Sequence, residues 1–218
     1  MDPHNSYYIY LGVICLAIIG GLYNIKQRDI AMKILVALLC LTLISEFTAY
    51  WAAITYRNNM FIYHFFAPIQ LVILCVYFDN IGDRHKKRKN GLLIGVTGVV
   101  IAVINTLFFQ PLQIFNSNFL LFEGIVIMGL ALFTFQRILT DDKIDIYRYS
   151  HFWIVTILIF FWSITYTTWA LFSVLQIKKL FLMSYVSKVL WAVNIITYSA
   201  IGFVLLYFSG NRKQLAHE

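Results

Sequence analysis

Apolar residues along this chain neither alternate nor repeat every third or fourth position; they run on continuously, broken by short polar stretches. Seven runs stand out, at about 7–25, 30–54, 59–78, 91–109, 118–135, 150–175 and 183–208. A run of about 18 or more apolar residues with few charges predicts a membrane-spanning helix, because in lipid only helices and closed barrels satisfy their own backbone groups. A membrane β-barrel would show short segments apolar at every second position, and that pattern is absent. The expected fold is therefore all-α: one polytopic seven-helix membrane domain covering 1–218, with connections too short to hold a soluble domain.

Composition strengthens this reading. Hydrophobic residues make up 61% of the chain and charged residues 12%, which excludes a soluble globular protein. The flank before the first run carries Asp2 and neither Lys nor Arg, the reverse of a signal-peptide n-region, so this run is expected to stay in the membrane.

Charge placement predicts orientation. Thirteen of the 17 basic residues follow the first, third, fifth and seventh runs: Lys26, Arg28, Lys33, Arg84, Lys86, Lys87, Arg88, Lys89, Arg137, Lys143, Arg148, Arg212 and Lys213. Only Arg57, Lys178, Lys179 and Lys188 flank the other side. The positive-inside rule then places the N-terminus outside and the C-terminus in the cytoplasm. The net charge of +7 follows this topology and gives no ground for a nucleic-acid partner. Its densest stretch, Arg84, Lys86, Lys87, Arg88 and Lys89, reads as a cytoplasmic basic patch against anionic lipid headgroups, with docking of a protein partner as the other use.

Ionisable residues inside such runs are costly, at roughly 2.5–3.5 kcal/mol for a central acidic group on insertion scales, so each calls for a partner, a proton or a hydrated cavity. Three stand out: Glu46, His64 and Glu123. Counting along the runs puts Glu46 slightly beyond the midplane on the outer side, and His64 and Glu123 about one to two turns below the outer surface. Tyr50, Tyr63, Asn105, Thr165, Tyr166, Thr168 and Asn194 share that half. The expectation is a polar pocket near the outer face, with Glu46, Tyr50, His64, Asn105, Glu123, Thr165 and Asn194 as candidate ligand-binding residues. Glu46 and Tyr50 share a helix face at i, i+4. Pro68 follows His64 by four residues and is expected to bend its helix by freeing the His64 carbonyl.

Catalytic chemistry finds few anchors. A metal hydrolase needs several His or carboxylate ligands at one depth, and here only His64 lies well inside a run. Cys15, Cys40 and Cys75 all fall within runs, without CxxC spacing, and predict neither a disulfide framework nor zinc. Phosphate-binding loops and nucleophile elbows are missing. A retinal-binding reading needs a mid-span Lys in the last run, but Lys188 lies only about two turns from its start, with Ser184 four residues before it. No catalytic residue, metal or cofactor is assigned.

The most distinctive text is Asn105-Thr-Leu-Phe-Phe-Gln110-Pro-Leu-Gln-Ile-Phe115-Asn-Ser-Asn118, between the fourth and fifth runs. With Tyr63-His64-Phe-Phe-Ala-Pro68 and the Phe152-Trp153 pair, it resembles an uncharacterised bacterial family of seven-span proteins. The resemblance implies an inner-membrane protein, often encoded beside a sensor histidine kinase, and it transfers no catalytic residue. Independently, the Lys- and Arg-free loop 109–117 reads as an ordered lid whose amides bond backbone.

Two functions follow as expectations. The first is a non-enzymatic membrane sensor or signalling partner with an outward polar pocket for a small or lipid-like ligand, reporting to a kinase or another signalling protein. The second is a small transporter of parallel three-plus-one-plus-three type, with Glu46 as its coupling carboxylate. A weak echo of Ser45 and Trp51-Ala52 in Ser163 and Trp169-Ala170 favours that plan.

Overall fold

The computed structural model describes residues 3–81, 90–175 and 180–208, with side chains at 6–81, 90–171 and 185–208. The basic patch at Arg84, Lys86, Lys87, Arg88 and Lys89 lies outside the described residues, as do Lys178, Lys179, Arg212 and Lys213.

Among the described residues the chain is all helical: α1 (Pro3–Leu22), α2 (Ile30–Tyr56), α3 (Met60–Asp79), α4 (Asn90–Phe108), α5 (Ser117–Leu139), α6 (Ser150–Leu175) and α7 (Leu180–Tyr207), with single 3-10 turns at Ile25–Gln27 and Ile146–Arg148. Helices α2 to α7 are long and apolar enough to cross a membrane; the apolar part of α1, Ser6–Leu22, is shorter. Large apolar side chains cover the outside, among them Leu16, Phe47, Leu93, Leu107, Phe133, Phe160 and Phe203. Helices that are apolar all round suit lipid rather than water.

Local chemistry sets the helix ends. Asp29 caps α2, its carboxylate accepting the Met32 amide at 2.7 Å. Arg57, at φ 57°, ends α2 in the left-handed region, and the Asn58 side chain then accepts the Met60 amide at 2.8 Å to start α3. Asp79, the last residue of α3, accepts the Gly91 and Leu92 amides at 3.0 and 3.1 Å, placing a negative charge at the start of α4. Helix α3 continues through Pro68.

The helices form a ring in chain order: α1 beside α2, α2 beside α3, α5 beside α6, α6 beside α7, and α7 closing on α1. Helix α3 packs directly on α5, while α4 lies outside, mainly against α3. Small residues permit the closest approaches. Gly91, Gly95, Gly98 and Ala102 line the buried stripe of α4, and a Cβ on Gly95 would stand 3.0 Å from the Val72 Cα. Across the α1–α7 seam a Cβ on Gly202 would stand 3.0 Å from the Ala17 Cα. Inside, Leu35, Leu39, Leu71, Leu74, Ile154, Leu158, Ile201 and Leu205 form a continuous buried core.

Candidate functional site

Glu46 lies on α2 among tyrosines from three other helices. Tyr10 of α1 and Tyr198 of α7 lie close to the carboxyl, with their rings 5.9 Å apart. Tyr63 of α3 lies within the field of the same carboxyl. Tyr7 donates to the Glu46 backbone carbonyl at 2.9 Å and stacks on Tyr50 at 4.3 Å, with Tyr8 set edge-on to both. Glu46 and Tyr50 are thus brought together by four helices.

His64 and Asn105 serve a different structure. The His64 Nε2–H donates to the Ile114 carbonyl at 3.0 Å, and in the neutral ring Nδ1 accepts the Thr106 hydroxyl at 2.9 Å. Asn105 donates to Gln110 at 3.1 Å and to Asn116 at 2.8 Å, and accepts from Asn118 at 3.3 Å. Gln110 closes the network by donating to Ser117 at 2.9 Å and accepting the Asn118 amide at 3.0 Å. These side chains fold loop 109–116 into the helix ends, with Asn116 only 1% exposed and Phe115 against the Trp169 ring at 4.7 Å.

That inward fold moves Glu123. Helix α5 starts inside the bundle, and six further residues at 1.5 Å each carry Glu123 about 9 Å deeper. It reaches the middle of its neighbours: a Cβ on Gly124 would stand 3.6 Å from the Trp162 ring, and one on Gly98 would stand 3.7 Å from the Phe122 ring. Glu123 is fully buried, and neither carboxyl oxygen has a hydrogen-bond partner. Thr165, on the same α6 face as Trp162, is also buried with its hydroxyl unpaired. Asn194 is half-buried on α7. The seven candidate residues therefore occupy separate places: Glu46 with Tyr50, His64 with Asn105, Glu123 near Thr165, and Asn194 by itself.

Between α2, α3, α6 and α7 lies a cavity of about 30 Å³. Thr42, Gln70, Trp162 and Thr197 supply its polar wall, and Leu35, Leu39, Leu74, Leu158 and Ile201 the rest. Toward the other end of the bundle the leucine and isoleucine core closes over it.

That other end holds a polar group that the apolar runs did not reveal. His151, at the start of α6 and 4% exposed, donates from Nε2 to Asp29 at 2.8 Å, while the buried Tyr77 hydroxyl meets Nδ1 at 3.3 Å. The T-shaped Tyr149 ring packs against His151 at 5.3 Å. Burial alone would raise the Asp29 pKa; the hydrogen bond and charge of His151, the Met32 amide and Arg28 outweigh it and hold the carboxyl below its ordinary value. Burial pushes the Tyr149 phenol upward.

Next to it Arg28 is buried and ties two helix ends together. Its guanidinium donates to the carbonyls of Gly20 at 2.8 Å, Gly21 at 2.9 Å, Tyr23 at 3.3 Å and Leu205 at 2.5 Å. Burial lowers its pKa, opposed by Asp29. A cation at the carbonyl ends of α1 and α7 suits both helix dipoles.

Among the described residues no group of three or more His, Cys, Asp or Glu gathers closely enough to hold a metal ion. Compared with protein-family models, curated proteins and solved structures, the chain matches none.

Proposed function

We propose that this protein is a non-enzymatic membrane sensor. In this reading all seven helices cross a bacterial inner membrane, with the N-terminus outside and the C-terminus in the cytoplasm. A small or lipid-like ligand binds at the Glu46 end, and the Asp29 end reports to a signalling partner such as a sensor histidine kinase. Six long apolar helices, the 13-to-4 division of basic residues, and the 20 residues of α1 (about 30 Å at 1.5 Å each) support the topology.

The observation that carries the sensor reading is the layering of the interior. Polar clusters lie around Glu46 and around Asp29 and His151; the core between them is mainly leucine and isoleucine, and the polar groups within it, Glu123 and Thr165 among them, are buried. A transporter needs polar groups continuing from one face to the other, and this core favours a receptor that passes on a change of helix packing instead. Such a change requires a ligand with different affinity for two packings.

Co-purification from native membranes in lipid discs, followed by mass spectrometry, tests the reading. The expected result is recovery of a kinase or another signalling protein, in an amount that Glu46→Gln alters. Recovery of no signalling protein, together with solute uptake by proteoliposomes that Glu46→Gln abolishes, would replace the sensor with a transporter.

A further inference from the structure

Glu123 is the one fully buried carboxyl among the described residues without a partner of any kind, and it is not alone in lacking one. The Trp162 indole N–H and the Thr165 hydroxyl of α6 are buried and unpaired, as is the Ser45 hydroxyl of α2. Gly124, the next residue on α5, brings the Trp162 ring against the backbone beside Glu123. Thr165 follows Trp162 by three residues and so shares its face. Ser45 follows Thr42 by three residues, and Thr42 lines the same cavity as Trp162. One turn above and below Glu123, Phe119 and Ile127 are buried, so the carboxyl belongs to the core face of α5.

Buried polar groups in folded proteins are nearly always paired, so the orphans on α5 and on the α6 face beside it point to a missing partner. Their chemistry selects it. The Trp162 N–H can only donate, the Thr165 and Ser45 hydroxyls donate or accept, and the Glu123 carboxyl accepts or, when protonated, also donates. A bound cation would need several oxygen ligands and could use neither an indole N–H nor a single carboxylate well. Water serves donors and acceptors alike, and the cavity of about 30 Å³ that Trp162 lines has room for about two molecules at 10–15 Å³ each. The Cys75 thiol of α3 lies within the field of Glu123 and the Tyr166 ring of α6 packs against the adjacent Gly124, and neither supplies a positive charge. An ionised carboxylate there would stand against apolar rings without compensation, whereas a protonated one hydrogen-bonds to water.

We infer that Glu123, Trp162 and Thr165 form an enclosed proton-and-water site at mid-depth between α5 and α6, whose ligand is a proton held on the Glu123 carboxyl. The site is independent of the Glu46 cluster and of the sensor reading built on it. Loss of the proton places a charge against the Trp162 ring, so the packing of α5 on α6 depends on its occupancy.

Infrared spectroscopy of the full-length protein in lipid nanodiscs tests this at neutral pH. The expected spectrum has a protonated-carboxyl C=O band that moves to lower frequency in D2O, persists in Glu46→Gln and vanishes in Glu123→Gln. Thr165→Val and Trp162→Phe leave the carboxyl in place and shift its band by changing the hydrogen bonds around it. No Glu123-dependent band, or one unmoved by prolonged exposure to D2O, would overturn the proposal. Should Glu123→Gln fail to fold, a band unchanged in both Thr165→Val and Trp162→Phe overturns it equally.

Discussion

Replacing Arg28 with Ala removes the clamp that joins α1 to α7. Three of its bonds, to the Gly20, Gly21 and Leu205 carbonyls, are buried. A hydrogen bond to a charged group contributes about 1.5–3 kcal/mol net, and a buried carbonyl left unpaired costs about 1–3 kcal/mol. These terms overlap, because the deletion that breaks each bond also strands its acceptor, and breaking a buried charged contact typically costs about 3–5 kcal/mol in total. At 1.36 kcal/mol per decade this is on the order of 10²–10⁴-fold in the unfolding equilibrium. Arg28→Lys keeps the charge without the planar fork and recovers only part of the loss. Equilibrium unfolding in lipid discs, followed by tryptophan fluorescence, measures the effect. Lys33→Ala, which changes an exposed cation on the same side, serves as the control. A loss below about 1 kcal/mol for Arg28→Ala, or one matched by Lys33→Ala, refutes the clamp.

Asp29→Asn keeps the helix cap but loses the charged bond to His151; it is expected to cost about 1 kcal/mol at neutral pH, the low value reflecting an Asp29 side chain that is 36% exposed. Because the folded carboxyl sits below its ordinary value, this stability is present above about pH 4 and lost as pH falls through the depressed pKa, so the melting curves of variant and parent should converge in acid; a gap that persists there refutes the assignment. Gly91→Ala drives a methyl to 2.5 Å from the Cys75 carbonyl and is expected to cost about 1–3 kcal/mol in the same unfolding assay, whereas Gly129→Ala, where nothing lies within 4 Å, should be neutral or stabilising. Asn105→Ala removes its three side-chain bonds, to Gln110, Asn116 and Asn118, and should speed amide exchange in loop 109–118 by about 10–100-fold; unchanged exchange would show that the loop is held without it.

Apolar runs were enough to locate every helix to within about a turn, because continuous hydrophobicity needs no knowledge of neighbours. The depth of Glu46 could likewise be counted along α2. Azimuth between helices could not, and it decides that Glu46 meets Tyr10 and Tyr198 while His64 turns to Thr106 and Ile114. The amide-rich text of loop 109–116 did announce an ordered segment, and its side chains bond one another as well as backbone. Arg28 reads as one more topogenic cation, yet its partner Leu205 is 177 positions away. His151 and Asp29 are separated by 122 positions, and only the ring closure brings them together. Asp29 had a usable local signal, a capping residue directly before an apolar run.

The clamp and the Glu46 cluster use the same two helices at opposite ends. Helix α1 contributes Tyr7 and Tyr10 at one end and the Gly20 and Gly21 carbonyls at the other; α7 contributes Tyr198 and the Leu205 carbonyl. Tyr198 and Leu205 are seven residues apart, two turns on one face, so both contacts lie along one side of α7. Near Glu46 the Trp191 N–H donates to the Ser6 carbonyl at 2.9 Å and the Tyr10 and Tyr198 rings pack together, while at the other end Arg28 links three carbonyls at the end of α1 to the Leu205 carbonyl of α7. Arg28 directly precedes Asp29 in the chain, so the contact of α1 with α7 at its guanidinium lies one residue from the Asp29 bond to His151 of α6.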